Sequence, residues 1–250
     1  MRTSICLNAD VGELPGQEGR ALDRTILDVV TRCNIACGGH AGDAETMTAT
    51  VHAARARGVQ IGAHPSYPDR EGFGRARPNV SQEELERSLL GQVRTLKSIA
   101  RDKSTEVTHL KPHGSLYNDA AKTRALAELV VSICRKTDIT ELVGPPGSAL
   151  ETSAKEAGLA FIAEAFADRS YEHDGSLSPR TLEGAVITDE ARQLAQVMGL
   201  IETGRVIVRT GEHLAVPART ICLHGDTPGA ARSAFLLRQA LLERGVTIEA

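Results

Sequence analysis

The sequence has no long apolar segment and no large excess of charge. No run of 18 apolar residues occurs among its 250 residues, so no membrane-spanning helix is predicted. The formal net charge of -3 gives no electrostatic reason to expect binding to nucleic acid or to an anionic membrane. The chain enters a strand pattern at once, without a basic and apolar leader segment. We therefore expect a cytoplasmic protein that acts on a small molecule.

The sequence also lacks a disulfide framework. Its five cysteines are an odd number, and Cys6, Cys37, Cys134 and Cys222 lie in apolar runs. Buried free thiols in a reducing compartment fit this pattern better than disulfide bonds do. Cys33 and Cys37 are separated by three residues, whereas the usual zinc-binding spacing is two, so we interpret both as structural.

Three common motifs are missing as well. The chain contains no G-x-S-x-G nucleophile turn, no G-x-x-x-x-G-K-[ST] phosphate-binding loop and no G-x-G-x-x-G dinucleotide fingerprint. These absences leave no sign of a serine nucleophile, of a conventional triphosphate site or of a Rossmann cofactor. Candidate chemistry must therefore come from acidic, basic and imidazole side chains.

Six apolar runs that end in polar clusters dominate the sequence. They cover residues 5–10, 35–43, 59–64, 107–113, 161–168 and 221–226. Large apolar residues such as Leu7 alternate with polar ones such as Asn8, so the two kinds point to opposite faces of a strand. In a closed parallel barrel, helices cover the apolar outer face and catalytic groups collect at the C-terminal mouth. The alternative is six unrelated strands, because loops after strands are polar in any fold.

Segments with helical spacing separate these runs. Asp43 is a candidate N-cap, and Ser81 with Glu84 matches a capping box. The predicted helices are 21–32, 43–57, 81–101, 119–136, 148–157, 189–202 and 228–244. Strands that alternate with helices imply parallel pairing and right-handed crossovers. We predict one α/β domain over residues 1–250, a parallel β/α barrel of seven or eight units whose weakest strands are 141–143 and 206–209.

Two long segments fit neither a strand nor a helix. Residues 65–79 follow the third run, and residues 166–182 follow the fifth. Loops of this length in a compact domain are usually lids or binding loops. Their arginines and tyrosines are suited to holding a carboxylate or phosphate over a small molecule. The candidate lid residues are Tyr67, Arg70, Arg75 and Tyr171.

The candidate catalytic residues are Asp10, His40 and Lys111. Side chains alternate between the two faces of the strand predicted at residues 107–113, and this alternation points Lys111 into the barrel. A buried ammonium group there requires a carboxylate partner or a ligand. Asp10 and His40 could hold different protonation states, as acid/base chemistry needs. A purely structural ion pair of Lys111 is the competing interpretation. The candidate substrate-binding residues are Asn8, Glu13, Asp43, His64, His113, Tyr117, Glu164, Arg169, His224 and Asp226.

The histidines also raise the question of a metal. His109 and His113 have the spacing of two ligands on a helix, but Pro112 disfavours a helix there. In an extended segment they would lie roughly 13 Å apart and could share a metal only across a sharp turn. Asp10, His40, His64 and His224 have no recognised ligand spacing in the sequence and could form a metal site only if the fold brings them together. We therefore predict no dedicated metal site, although a divalent metal stays open.

Six phrases of the sequence together resemble the LamB/YcsF family in order and spacing. They are Leu7–Glu13, Asn34–Asp43, Gly62–Asp69, Lys111–Asn118, Phe166–Arg169 and Leu223–Pro228. The resemblance runs from about residue 5 to residue 242. Family members usually carry phenylalanine where this chain has Gly39, and this departure predicts a wider pocket or a looser loop.

The resemblance implies a distorted seven-stranded β/α barrel related to the polysaccharide-deacetylase type. It also implies a hydrolase that opens the lactam 5-oxoproline to L-glutamate, with ATP as co-substrate and 5-oxoprolinase subunits B and C as partners. Because no phosphate-binding loop is visible, nucleotide contacts in this chain are unconventional or the partners assist. Two alternatives stay open: a metal-dependent deacetylase or amidohydrolase acting alone, and a non-catalytic subunit that presents substrate.

Overall fold

The structure is a computed structural model that describes residues 3–224 and 229–250. Ten strands and eight helices lie in these ranges. The strands are β1 Ser4–Val11, β2 Arg32–Ala36, β3 Gln60–His64, β4 Val107–Leu110, β5 Glu141–Gly144, β6 Ala160–Phe166, β7 Arg205–Ile207, β8 His213–Ala215, β9 Thr220–His224 and β10 Thr247–Ile248. The helices are α1 Gly16–Leu27, α2 Ala44–Ala56, α3 Gln82–Asp102, α4 Gly114–Lys122, α5 Arg124–Lys136, α6 Ala149–Glu156, α7 Glu190–Thr203 and α8 Ala230–Glu243.

Seven parallel strands close into a barrel in the order β1-β2-β3-β4-β5-β6-β9. The closure is the pairing of β1 with β9, from Cys6 opposite Thr220 to Asp10 opposite His224. The short strand β10 pairs with the start of β1, below this closure. The predicted seven-stranded parallel barrel is therefore confirmed, with one additional strand at its edge.

The two faces of the barrel strands differ in chemistry. Apolar side chains of the outer face, such as Leu7, Ile35 and Ile61, are buried in one hydrophobic core with the surrounding helices. The inner face carries polar residues at positions where parallel barrels usually place Val, Ile or Leu. These inner residues include Asn8, Arg32, Asn34, His109, Lys111, Glu164 and Thr220, and all of them are buried. Hydrophobic burial therefore holds the helices to the barrel, while its interior is free for a polar network.

Several helix boundaries follow the signals of the sequence. Asp43 caps α2 by accepting a hydrogen bond from the backbone N–H of Thr46 at 2.8 Å. Ser81 and Glu84 form the predicted capping box at the start of α3. Gly204 ends α7 in the left-handed conformation with φ 69°, which glycine adopts without the steric cost of a Cβ atom. Each of these boundaries depends only on neighbouring residues, so the sequence alone predicts it.

The predicted barrel strand at 206–209 is wrong. Val206 and Ile207 belong to β7, which pairs antiparallel with β8 in a separate two-stranded sheet. The barrel is already closed there, because β6 pairs directly with β9 from Glu164 opposite Thr220. This pairing takes up the edge that another strand would need, and Ile207 is 59% exposed. Within the described ranges, the barrel accordingly has seven strands and no eighth unit.

Two helix predictions also needed correction. The segment predicted as one helix from residue 119 to 136 is two helices, because Thr123 has an extended backbone with φ -117° and ψ 114° between them. The first of these helices begins already at Gly114, directly after the strand end that carries Lys111 and His113. The first helix of the chain ends at Leu27 and not at residue 32, because Arg32 opens β2.

The five cysteines all lie in the described ranges, where they are buried and free of disulfides, as predicted. Within residues 3–224 and 229–250, no helix combines the length and the apolar composition that a bilayer crossing requires.

Gly62 and Gly91 offer a matched test of the barrel packing. A Cβ atom at Gly62 in β3 would lie 2.2 Å from Nε2 of the buried His109, whereas one at Gly91 in α3 would meet nothing within 4 Å. We expect Gly62→Ala to reduce the free energy of unfolding by about 1–3 kcal/mol through overpacking. Gly91→Ala should increase it by up to about 1 kcal/mol, because alanine favours a helix. Urea unfolding of both variants measures this, and a Gly62→Ala variant as stable as the wild type would contradict the packing.

Candidate active site

A buried ion cluster lies at the C-terminal mouth of the barrel. Nζ of Lys111, just past the end of β4, lies 2.9 Å from Oδ1 of Asp10 in β1 and 3.0 Å from Oε1 of Glu164 in β6. It also donates to Sγ of Cys222 in β9 at 3.1 Å. The four residues come from different strands and are at most 3% exposed. The inward direction and carboxylate partner predicted for Lys111 are both present.

The electrostatics of the cluster keep Lys111 charged. Burial disfavours the ammonium form, but the neighbouring carboxylates outweigh burial and hold the pKa of Lys111 well above its ordinary value. Burial and the nearby Asp10 raise the pKa of Cys222 well above its ordinary value, so Cys222 is a neutral thiol. The cluster is therefore an ammonium group between two carboxylates, with the thiol as a fourth neighbour.

Hydrogen bonds below the cluster orient Asp10. Nδ2 of Asn34 donates to Oδ1 of Asp10 at 2.8 Å and to Oδ1 of Asn8 at 2.8 Å. Nδ2 of Asn8 in turn donates to Oγ1 of Thr220 at 2.9 Å. Oδ1 of Asn34 lies 3.1 Å from Nε2 of His109 and can only accept, so His109 carries its proton on Nε2. An asparagine between two strands thus fixes the carboxylate that faces Lys111.

The same network continues to the opposite end of the barrel. Nδ1 of His109 lies 2.9 Å from Oγ1 of Thr108 and 3.5 Å from Nη1 of Arg32. Arg32 forms an ion pair with Glu141 at 2.5 Å. Burial, with the positive charges of Arg32 and Lys111, holds the pKa of His109 well below its ordinary value. His109 is therefore neutral, and a continuous polar chain runs from Glu141 to the mouth.

A second cluster, of three histidines around Glu13, lies beside the first. Oε1 of Glu13 lies 3.0 Å from Nε2 of His40 and 3.3 Å from Nδ1 of His113. Nε2 of His64 lies 3.0 Å from Nδ1 of His113 and 3.3 Å from Oδ2 of Asp10. The rings of His40 and His113 stack, with their centroids 3.6 Å apart. The Asp10–His64 contact joins this histidine cluster to the ion cluster.

Backbone carbonyl groups fix the tautomers of two of these histidines. Nδ1 of His64 lies 2.8 Å from the carbonyl oxygen of Lys111, and Nε2 of His113 lies 3.0 Å from that of Phe73. A carbonyl oxygen can only accept, so each of these nitrogens carries a proton. In the neutral rings, the other nitrogens then present lone pairs to one another and to Glu13. Such converging lone pairs require a shared proton or a cation.

The histidine cluster fits a divalent metal ion. One ligand atom from each of Glu13, His40, His64 and His113 lies within 4.8 Å of all the others. Imidazole and carboxylate groups are ligands of Zn²⁺, and tetrahedral binding at about 2.0–2.1 Å separates ligand atoms by about 3.3 Å. The contacts around His64 and Glu13 span 3.0–3.8 Å. No dedicated site was predicted, because its residues come from four separate segments and have no regular spacing.

The protonation of this cluster follows from burial and hydrogen bonding. Burial lowers the pKa of His40 to about 4, although Glu13 acts in the opposite direction. Burial would raise the pKa of Glu13, but its close contacts with the imidazole groups of His113 and His40 hold it below its ordinary value. Glu13 is therefore a carboxylate and His40 is neutral near pH 7.

Asp23 supports the turn that carries Glu13. Oδ2 of Asp23 in α1 accepts the backbone N–H of Gly12 at 3.0 Å and lies 3.3 Å from Oγ1 of Thr50. Gly12 has φ +73°, which disfavours any residue with a side chain there. Burial raises the pKa of Asp23 to about 6. The turn after β1 thus depends on a buried carboxyl group that the sequence pattern did not reveal.

A cavity of about 500 Å³ opens over both clusters. Its floor includes Asp10, Lys111 and His64, and its walls include Arg75 and Arg169. The candidate residues Glu13, His113 and Tyr117 also line it. A neighbouring cavity of about 370 Å³ shares Tyr117 with the first and is lined in addition by Glu164 and Tyr171.

Other candidate residues lie away from the cavity. His40 lies behind Glu13 and its side chain is fully buried, while Asn8 lies deeper in the barrel. Asp43 serves as the cap of α2. The side chain of His224 and all of Asp226 lie outside the described part of the chain.

Two of the four predicted lid residues line a cavity, and the other two have structural roles. Tyr67 is 1% exposed and donates from its hydroxyl group to Oδ2 of Asp119 at 2.9 Å, so it belongs to the core. Arg70 donates to the carbonyl oxygens of Gly38 and Gly42 at 3.0 and 2.9 Å and so braces the loop that carries His40. Of the predicted lid, Arg75 lines the main cavity and Tyr171 the neighbouring one.

Gln92 is a supporting residue that the sequence pattern did not reveal. From α3, its side chain accepts the N–H of Ser66 at 3.0 Å and donates to the carbonyl oxygen of Ser66 at 2.9 Å. A Cβ atom at Gly39 would lie 2.4 Å from Oγ of Ser66 and 2.5 Å from Oε1 of Gln92. Gly39 therefore neither widens the pocket nor loosens the loop, because these side chains occupy the space beside it.

The sequence matches the model of the LamB/YcsF family over residues 5–250. It is 45% identical over 251 residues to a protein of Methylococcus capsulatus named as the A subunit of 5-oxoprolinase, a match covering 100% of the chain and 96% of the relative. A protein of the same name from Chloroflexus aurantiacus is 45% identical over 251 residues, covering 99% of the chain and 98% of the relative.

Solved structures are similar to the chain as well. The lactam utilization protein from Thermus thermophilus has a TM-score of 0.89 and 35% sequence identity, with 99% of each chain covered. A truncated 3-deoxy-D-arabino-heptulosonate 7-phosphate synthase from Thermotoga maritima has a TM-score of 0.53 at 10% identity and covers 99% of the chain and 90% of its own. The second likeness concerns the fold alone.

The fit of the histidine cluster to a metal can be tested by thermal unfolding. Zn²⁺ at a free concentration 100-fold above its Kd should raise the Tm of metal-stripped protein by roughly 5–10 °C. His64→Gln should weaken metal binding at least about tenfold, since it removes one ligand. His52→Gln, on the exposed face of α2, is the matched control and should bind as the wild type does. Identical Tm values with and without Zn²⁺, Mn²⁺ and Ni²⁺ would contradict the fit.

Asp23 predicts a pH dependence of stability. Between its ordinary pKa of 3.8 and about 6, the folded protein holds a proton that the unfolded chain releases. The contribution of Asp23 to the free energy of unfolding is therefore fully present below pH 3.8. It is lost as the pH rises through 6, and the loss amounts to up to about 3 kcal/mol. We expect Asp23→Asn to gain stability relative to the wild type across this interval and then level off. Urea unfolding at pH 4, 5, 6 and 7 measures the difference, with the exposed Asp28→Asn as the control. A difference that does not change with pH would refute the assignment.

Proposed function

The chain belongs to the LamB/YcsF family, and we propose that it is a catalytic subunit of a 5-oxoprolinase. In this proposal it hydrolyses the lactam of 5-oxoproline to L-glutamate, with ATP converted to ADP and phosphate. The observation that carries the proposal is the buried Lys111–Asp10–Glu164 cluster, of which Asp10 and Lys111 line the 500 Å³ cavity. A lactam is a poor electrophile, so its hydrolysis needs an activated water and a cation near the carbonyl oxygen.

The acid/base work falls to Asp10 and His64. Their side chains are 3.3 Å apart, and both line the cavity. The N–H at Nδ1 of His64 is held by the carbonyl group of Lys111, so Nε2, which lies beside Asp10 and His113, carries the lone pair that can accept a proton from water. Asp10 stabilises the imidazolium that would form, and the same nitrogen can then protonate the leaving amide nitrogen.

His40 acts through Glu13 in this arrangement. Its Nε2 lies 3.0 Å from Glu13, and its side chain does not reach the cavity. His40 was a candidate acid or base on sequence grounds, but its position makes it a positioning residue. Lys111 is the fixed cation nearest to this site, where it stabilises negative charge developing on the lactam oxygen.

A metal-dependent amidohydrolase that acts alone is the second candidate. It is favoured by the cluster of Glu13, His40, His64 and His113, whose donor atoms suit a divalent ion. Such an ion would supply Lewis-acid activation of the amide carbonyl and of water. The two candidates differ in their needs, because only the first requires ATP and other subunits.

The partners account for the use of ATP in the first candidate. The chain has no conventional phosphate-binding loop, and its relatives are named as one subunit of an enzyme. We infer that 5-oxoprolinase subunits B and C contribute the nucleotide contacts. Phosphorylation of the lactam oxygen would make the ring a better electrophile for the water that Asp10 and His64 activate.

Asp10→Asn tests the catalytic assignment. The amide oxygen can still accept from Asn34 and Lys111, and Glu164 still balances the lysine, so the fold should persist. We expect turnover by the complex reconstituted with subunits B and C to fall about 10²–10³-fold. The isolated wild-type chain with ATP should form little or no glutamate. Lys111→Met is less informative, because two buried carboxylates without a counter-charge should cost about 3–5 kcal/mol of stability.

Asp28→Asn is the control, since this exposed carboxylate pairs with Arg57 and takes no part in the network that orients Asp10. Full turnover by Asp10→Asn would mean that the chain only presents substrate to its partners. Glutamate formation by the isolated chain with metal and without ATP would favour the amidohydrolase.

A further inference from the structure

Arg169 is a buried cation held mainly by backbone carbonyl groups. It is 7% exposed, and its guanidinium group donates to the carbonyl oxygens of Ala185 at 3.3 Å and Ser178 at 2.6 Å. Among residues 3–224 and 229–250, no carboxylate oxygen lies within ion-pair distance of it. Burial and the neighbouring Arg180 lower the pKa of Arg169 to about 10, and Asp168 offsets this only in part. A buried charge held this way normally has a counter-charge, which a ligand can supply.

A second arginine is held beside the first. The hydrogen bond from Arg169 to Ser178 fixes the segment in which Arg180 follows two residues later. Arg180 is half-buried and makes no hydrogen bond or ion pair with any residue in the described ranges. Both arginines line the 500 Å³ cavity, and Arg75, stacked on the ring of Phe73 at 4.8 Å, lines it too. One wall of the cavity therefore concentrates positive charge.

The floor of the same cavity has the opposite character. Asp10 and Glu13 lie there, with a single ammonium group from Lys111. An anionic group would be repelled by these carboxylates and attracted by the arginine wall. The charges therefore orient any ligand that has a neutral reactive end and an anionic end, with the neutral end toward Asp10 and His64.

We propose that Arg169 and Arg180 bind the carboxylate of a 2-carboxylated lactam while its amide group faces Asp10, His64 and Lys111. This inference rests on the proposed function and adds the recognition of the substrate. Guanidinium groups suit the role because they can donate two parallel hydrogen bonds to one carboxylate. The site thereby distinguishes 5-oxoproline from a neutral lactam with the same ring.

Two ligands that differ only in the carboxylate test this site. Isothermal titration and KM measurements on the reconstituted complex would compare 5-oxoproline with 2-pyrrolidinone, the same ring without the carboxylate. Arg180→Gln should weaken binding of 5-oxoproline about 10–100-fold, the scale of a charge-assisted hydrogen bond. It should leave binding of 2-pyrrolidinone unchanged. Arg169→Lys keeps the positive charge but loses the paired N–H donors of the guanidinium group, so it should also weaken binding of 5-oxoproline.

Arg192→Gln is the matched control, because it removes the same charge from α7 outside this cavity. Equal affinity of wild type and Arg180→Gln for 5-oxoproline would overturn the carboxylate site and leave the proposed function standing. A wild-type complex that neither binds nor turns over 5-oxoproline would overturn both. If Arg180→Gln abolished competition by inorganic phosphate but not binding of 5-oxoproline, the arginines would recognise a phosphoryl group and the inference would be wrong.

Discussion

The balance of charge around Lys111 is the constraint on which the candidate site depends. One ammonium group shares the mouth of the barrel with the carboxylates of Asp10, Glu164 and Glu13. Moving such charges out of water is costly, and the cost is recovered only when each charge has close partners. When the histidines are neutral, the three carboxylates carry more negative charge than the one ammonium group can balance. That surplus explains why the histidine nitrogens converge on Glu13 and why a cation or a shared proton suits their centre.

The polar interior of the barrel serves this charge balance. Asn34 holds Asp10 from below, His109 holds Asn34, and Arg32 closes the chain at the other end. Each link fixes the rotamer or tautomer of the next, so the carboxylate at the mouth is oriented before any ligand arrives. The stability of the fold is supplied elsewhere, by the apolar layer between strands and helices. This division lets the interior be polar without loosening the barrel.

Local patterns in the sequence predicted the barrel, its caps and most strand ends, because period and capping depend on neighbouring residues. They also predicted that Lys111 points inward to a carboxylate. They did not predict that His40 lies behind Glu13, or that Asn34 and Gln92 support the site. Those roles depend on contacts between segments distant in sequence and on depth within the barrel, which periodicity does not encode. The hairpin of β7 and β8 was not predicted for a similar reason. Because β6 pairs directly with β9, no free edge remains at which residues 206–209 could join the barrel as a strand.

The contact between Gly39 and Gln92 has a consequence for the loop after β3. The glutamine occupies the space that a side chain at position 39 would need, and it holds Ser66 from that space. A side chain at position 39 would therefore displace the flexible end of Gln92 from this space. Ser66 would then lose the partner that satisfies its backbone N–H and carbonyl groups, and the loop after β3 would need another contact to hold it. The choice of residue at position 39 thus determines how the loop that follows His64 is anchored.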